Sequence, residues 1–253
     1  MARLPRLYAP QVPQLAQVRF AHPLAAPADP APADKLDLLA GWLRDAAKDH
    51  AVPVHGWVLL GDRLAVLATP PGPGSLSRLM QAVGRRFAAR LQHGRVYAER
   101  YRSALVQPGR WVLPALVWLE RLPVQYHYVD RAEQWPWSSA TRHLGNNGPA
   151  SRWGTEHVDY WHEGNTPFDR QARYGQRLGQ GLAQADQRRI EEALFGQWAL
   201  GDPDFLAGIR PLATRRLGPA ARGRPRKAAP PPEAPPQAAP EVSPQAAADP
   251  AQE

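Results

Sequence analysis

Apolar residues recur at helical spacing in two stretches of the chain and cluster into short β-rich runs between them. From Asp34 onward, Leu36, Leu39, Leu43 and Ala47 share one side of a helix, with Asp34 as its cap and Lys48 near its C-terminus. Two β-rich runs follow, Val52–Leu60 and Leu64–Thr69, and Gly61-Asp62-Arg63 between them reads as a hairpin turn. After a loop over Pro70–Gly74, Ser75 caps a second helix. Its Leu76, Leu79, Val83, Phe87 and Leu91 line one face, while Arg78, Arg85, Arg86 and Arg90 spread over the others. A third helix is expected near Trp111–Glu120, with Pro114 in its first turn, where a missing N–H costs nothing. Residues 20–33 read as an Ala/Pro-rich loop. Residues 121–185 read as irregular and aromatic-rich, with Trp135-Pro136-Trp137 as a packing plug. Short helices near Asp186–Trp198 and Pro203–Ile209 close the folded part.

The periodicity ends at Pro211. Beyond it come Arg215, Arg216, Arg222, Arg224, Arg226 and Lys227, and then an Ala/Pro/Gln/Glu tail over Ala228–Glu253 that has too little apolar surface for a core. The chain therefore divides into an α+β domain over 1–140, a helical extension over 141–210, a basic segment over 211–227 and a tail over 228–253 that is expected to be disordered. Many of the 29 prolines fall in that tail, so the folded part is shorter than the 253 residues.

Charge narrows the partner. The formal net charge is +8, with a pI near 10.3, and arginine supplies nearly all of the positive charge. A guanidinium fork pairs with phosphate oxygens and guanine edges, which points to nucleic acid; the alternative is a solvated basic surface. The absence of cysteine excludes disulfides and thiolate metal sites. No apolar run follows Met1–Leu7, so no secretory signal is expected, and no stretch approaches the ~20 apolar residues of a membrane span. A cytoplasmic protein is expected.

Seven landmarks occur in order: Leu4-Pro5-Arg6-Leu7; His55-Gly56-Trp57-Val58-Leu59 with Leu67-Ala68-Thr69-Pro70; Leu76-Ser77-Arg78-Leu79-Met80-Gln81 with Gly84-Arg85-Arg86; Arg100-Tyr101-Arg102-Ser103; Trp135-Pro136-Trp137-Ser138-Ser139; Trp198-Ala199-Leu200-Gly201; and Arg222-Gly223-Arg224-Pro225-Arg226-Lys227. Over about Leu4–Lys227 the chain thereby resembles the REP-associated tyrosine transposases, a branch of the single-tyrosine HUH transposases. The resemblance implies an antiparallel, ferredoxin-like sheet flanked by helices, with its opening strand at Leu4–Leu7. It also implies a DNA partner, hairpin or single-stranded, handled by a monomer or a dimer. In that family a His-hydrophobic-His motif holds Mg or Mn against the scissile phosphate, and a tyrosine attacks.

The chain departs from this pattern where the chemistry lies. The two histidine places carry Arg63 and Ala65, with Leu64 between, and the nucleophile place falls at Phe87. A guanidinium and a methyl offer no lone pair to a metal, and a phenyl ring has no hydroxyl to form a phosphotyrosine. Gln92 keeps a polar group one turn on, and the stretch His93–Val96 is shorter than the family's loop. No bound metal or cofactor is therefore expected. The resemblance then implies a DNA-binding protein without strand cleavage. Two alternatives stay open: a transposase working through a relocated tyrosine, Tyr97 or Tyr101, and an interaction protein that has lost DNA binding. Of the nearby histidines, neither His50, His55 nor His93 has a partner two residues away on a strand, the spacing that aims two imidazoles at one metal.

The candidate DNA contacts are Arg78, Arg85, Arg86, Arg100 and Arg102, with Arg63 as a cation at the former metal place. Arg222, Gly223, Arg224, Pro225, Arg226 and Lys227 form an AT-hook-like segment, slim and extended enough for the minor groove of A·T-rich duplex. Trp57, Trp111, Trp118, Trp135 and Trp137 read as core, and His157 and His162 as parts of a surface loop.

Overall fold

In the computed structural model, residues 5–25, 30–91, 94–146 and 153–219 are described. All belong to one compact unit, Met1–Pro219. The AT-hook-like segment and the tail lie outside the described residues, as do Leu4, Gln92 and His93.

Strand β1 (Gln14–Arg19) is followed by helix α1 (Ala33–Asp49), the hairpin β2 (Val54–Leu59) and β3 (Arg63–Ala68), helix α2 (Ser75–Leu91) and strand β4 (Arg102–Val106). The order across the sheet is β2-β3-β1-β4, and every one of these pairs is antiparallel, the ferredoxin-like arrangement. The α+β expectation holds, with one correction. A two-residue strand, β5 (Ala199–Leu200), joins β4 in parallel, so the sheet is mixed. The opening strand is also β1 and not Leu4–Leu7; Leu7 packs in a small separate cluster with Val12, Leu105, Ile209 and Leu217. Strand β1 lies in the middle of the sheet, which buries Gln14 and Gln17 along with its apolar residues. Two buried glutamines hide its period-2 signature.

Helices α1 and α2 cover one face of the sheet. The cap of α1 is Pro32, and Asp34 sits in its first turn, where a carboxylate faces the positive end of the helix dipole. The opposite face is covered by α3 (Val112–Glu120) and α8 (Gln184–Gly196). Gly56 on β2 permits the approach of α3, because a Cβ there would collide with the Leu116 side chain. The edge of β2 is closed by the Trp-Pro-Trp-Ser-Ser segment: Leu59 donates its N–H to Trp137 O at 2.9 Å, Ser139 donates to Trp57 O at 2.9 Å, and Trp135 Nε1 donates to Leu59 O at 2.8 Å. All five tryptophans read as core are buried.

The stretch 121–185 is more regular than its sequence implies. It contains α4 (Leu122–Gln125), α5 (Ala140–His143), α6 (Val158–Trp161) and the 14-residue α7 (Pro167–Gln180), ahead of α8 and the later α9 (Pro203–Ile209). Thr166 caps α7 by accepting from Asp169 N at 3.2 Å, and Pro167 occupies its first turn. Its buried stripe is Arg170, Tyr174 and Leu178, only one of them aliphatic, so a count of apolar residues passes over it.

These helices are fastened to the sheet by a buried polar cluster. Glu120, at the end of α3, is fully buried and accepts from Ser139 Oγ at 2.5 Å, His143 Nδ1 at 2.6 Å and Tyr174 OH at 2.7 Å. Burial raises the pKa of Glu120, but His143 and the three donors outweigh it and hold the carboxyl below its usual range.

His55, buried on β2, donates from Nδ1 to Thr155 O and accepts at Nε2 from Thr69 Oγ1, both at 2.8 Å. His157 packs edge-on against it, with ring centroids 4.9 Å apart, and caps α6. His157 is thus an interior residue, and only His162 matches the expected surface position. Desolvation lowers the pKa of His55 from 6.5 to about 4. The unfolded chain therefore takes up a proton as pH falls below 6.5, while the folded protein does not. Stability is lost across that window, by about 2–3 kcal/mol between pH 7 and pH 4. Urea unfolding at several pH values should show this slope in the wild type and a shallower one in His55→Asn. Equal slopes would remove His55 as the source.

Candidate nucleic-acid interface

In an antiparallel sheet, residues directly opposite one another project from the same face. Ala65 is opposite Gln17 on β1 and Val58 on β2, and Arg63 is opposite Arg19. Gly56, opposite Leu67, fixes this as the face under α3. Phe87 lies on the other side of the sheet, its ring 5.4 Å from that of Phe20 and 6.4 Å from that of Trp42. The three positions read together from the sequence therefore do not form one cleft. Arg63 and Ala65 share a face, and Phe87 is a core residue of α2, packed against α1 and Phe20. On this face α3, which contains no tyrosine, packs on β2 and β3.

Arg63 is not a free cation. Its Nε and NH2 donate to the Asp62 carboxylate at 2.8 and 2.7 Å, its NH1 to Tyr126 OH at 2.5 Å, and its guanidinium stacks 4.1 Å from the Tyr126 ring centroid. It is also the first residue of β3, so the turn is shorter than Gly61-Asp62-Arg63. The two other tyrosines considered are engaged elsewhere. Tyr97 OH donates to Met80 O at 2.8 Å, and Tyr101 OH lies 2.9 Å from Ser77 Oγ. Desolvation raises the pKa of both phenols.

The arginines of α2 divide into two groups. Arg78 and Arg85, seven residues apart, share an exposed side with Gln81 between them. Arg86 points to α1, where it pairs with Asp45 at 3.6 Å and Asp49 at 3.4 Å. Arg102, on β4, is also committed, donating to Glu99 at 3.0 and 3.2 Å and to Phe195 O, at the end of α8, at 3.1 Å. Arg100 precedes β4, is exposed, and has no hydrogen bond or ion pair among the described residues.

These elements meet in a groove of ≈ 850 Å³ between α2, the segment leading into β4, the end of α8 and the chain near residue 215. It is lined by Arg6, Arg95, Arg100, Arg102 and Arg215, with Glu99 as the one acid, and by Gln81, Tyr101 and Trp198. Arg6 and Arg215 are held on aromatic faces. The Arg6 guanidinium stands 3.4 Å from the Tyr101 ring centroid and donates to Tyr101 O at 2.8 Å; that of Arg215 stands 5.1 Å from Trp198 and donates to Gln197 O. Desolvation lowers the pKa of both arginines. Neither Arg6, Arg95 nor Arg215 stands out in the sequence as a contact, because the groove joins residues more than two hundred positions apart. Among the described residues, no group of three His, Asp or Glu side chains is placed to hold a metal ion, and no helix is long and apolar enough to cross a membrane.

No protein-family model matches the chain, and no curated protein matches it. Among solved structures, the chain is similar to a REP-associated tyrosine transposase bound to a REP hairpin. The identity is 14%, the match covers 62% of this chain and 94% of that one, and the TM-score is 0.50. At this identity the likeness is one of fold.

Proposed function

We propose that this chain binds DNA, as hairpin or single strand, in the manner of a REP-associated tyrosine transposase, and does not cut it. The observation that carries this reading is the groove, where five arginines and the half-buried Trp198 ring meet against a single carboxylate. Guanidinium groups neutralise phosphates and aromatic faces accept bases, a combination suited to a nucleic-acid strand. The relative of the same fold was solved on a DNA hairpin, which favours DNA as the partner. The reading without cleavage rests on Arg63, tied to Asp62 and Tyr126, and on Ala65, neither of which has a lone pair to offer a metal. Within it, Arg222–Lys227 add a second, minor-groove contact on A·T-rich duplex, and the protein acts in the cytoplasm, where DNA is in reach.

Fluorescence anisotropy with a DNA hairpin carrying a single-stranded flank should show binding that weakens steeply with salt. Incubation with magnesium or manganese should leave the DNA whole and unattached. A covalent protein–DNA adduct would overturn the silent reading, and its loss in Tyr126→Phe, Tyr97→Phe or Tyr101→Phe would identify the nucleophile. No shift of any DNA at low salt would instead favour an interaction protein. In the basic segment, Arg224→Ala is expected to weaken A·T-rich duplex more than G·C-rich duplex; equal loss on both would reduce the segment to plain electrostatics.

A further inference from the structure

Beside the groove, and sharing Glu99, Arg100 and Arg102 with it, lies a smaller cavity of ≈ 240 Å³ completed by Gln17, Arg19 and Phe195. Its floor is the sheet. Gln17 projects there from β1 with Ala65 opposite on one side and Arg102 on the other. Only 6% of Gln17 is exposed, and its buried carboxamide oxygen has no hydrogen-bond partner. Buried amide groups are nearly always paired, so this vacancy calls for a cause. The neighbours explain how it arises: Ala65 offers only a methyl group, and Arg102 spends its donors on Glu99 and Phe195 O. At the rim, the partly exposed ring of Phe195 lines the cavity.

We propose that this cavity receives a single unpaired nucleobase of the bound strand, with adenine preferred. The proposal rests on the DNA-binding reading above. A carboxamide presents a donor and an acceptor in one plane, which matches the N6 and N7 edge of adenine in a bidentate pair. The terminal torsion of glutamine is soft, so a turn of the amide brings the buried oxygen to the base together with the nitrogen. Phe195 supplies a stacking face, and Arg100 reaches a flanking phosphate, with Arg19, 3.8 Å from Asp62, beside it. The volume is below the roughly 300–1,000 Å³ of pockets for larger ligands, which suits one base and not a run of them.

The test is anisotropy of the full chain with labelled dA8 and dT8 at fixed salt, in wild type, Gln17→Met and Phe195→Ser. Wild type should favour dA8 by about tenfold. Gln17→Met should erase most of that preference by weakening dA8 while leaving dT8 and the salt slope unchanged, and Phe195→Ser should weaken both oligomers. Equal binding of dA8 and dT8 by wild type, or a preference untouched by Gln17→Met, overturns the base site and leaves DNA binding standing. Binding of neither oligomer overturns the base site, and failure to bind the hairpin as well overturns the parent reading. Should Gln17→Met fail to fold, the surface variant Phe195→Ser decides: undiminished affinity for dA8 overturns the site.

Discussion

Replacing Glu120 by Ala should lower the unfolding free energy by about 3–5 kcal/mol, the cost of breaking a buried, multiply bonded charge. The carboxylate lies at the end of α3 and is the common acceptor for Ser139 beside β2, His143 on α5 and Tyr174 on α7. Removing it leaves three buried donors without an acceptor, each costing about 1–3 kcal/mol in isolation, with partial relief from relaxation. Tyr174→Phe withdraws one donor and leaves the carboxylate with two, so about 1–2 kcal/mol is expected there. Urea unfolding of both variants gives the comparison. A loss below about 1 kcal/mol in Glu120→Ala would mean that water replaces the carboxylate and that the cluster does not fasten the helices. If it does fasten them, hydrogen exchange in α7 should quicken before exchange in β1 and β3.

What the sequence makes visible and what it hides follow from the range of the interactions. Helices α1, α2 and α3 and the β2–β3 hairpin are local patterns, and each stands within a few residues of where its apolar spacing puts it. Strand β1 and helix α7 are built from partnerships that a window of residues does not contain: Gln17 is interior because β3 and β4 flank it, and Arg170 and Tyr174 because of what α7 packs on. The candidate site shows the same division. That Arg63 and Ala65 lack metal-binding groups is legible from their chemistry alone. That Phe87 lies on the other side of the sheet is not, because it depends on which face α2 covers, a property of the crossover and not of the helix. Arg86 and Arg102 look like phosphate contacts until their carboxylate partners, Asp49 and Glu99, are in place.

The same sorting of arginines predicts the second large effect. Arg85→Ala with Arg100→Ala should weaken hairpin or single-strand binding by about 10- to 100-fold near 0.1 M salt, the loss of two charge-assisted contacts at roughly 1 kcal/mol or more each. It should also reduce the salt slope by about 1.4 for a single strand, because each phosphate contact contributes about 0.7. Both residues are exposed, and neither has an ion pair or hydrogen bond within the described structure, so their removal should leave stability unchanged. Arg86→Ala is the matched control. Set against Arg85→Ala alone, it deletes the same charge from the same helix, but that charge is already spent on Asp45 and Asp49, so affinity should change by less than about twofold, with a stability loss of about 0–1 kcal/mol. Equal loss of affinity in Arg85→Ala and Arg86→Ala would mean that net charge alone drives binding and that position on α2 confers no geometry on it.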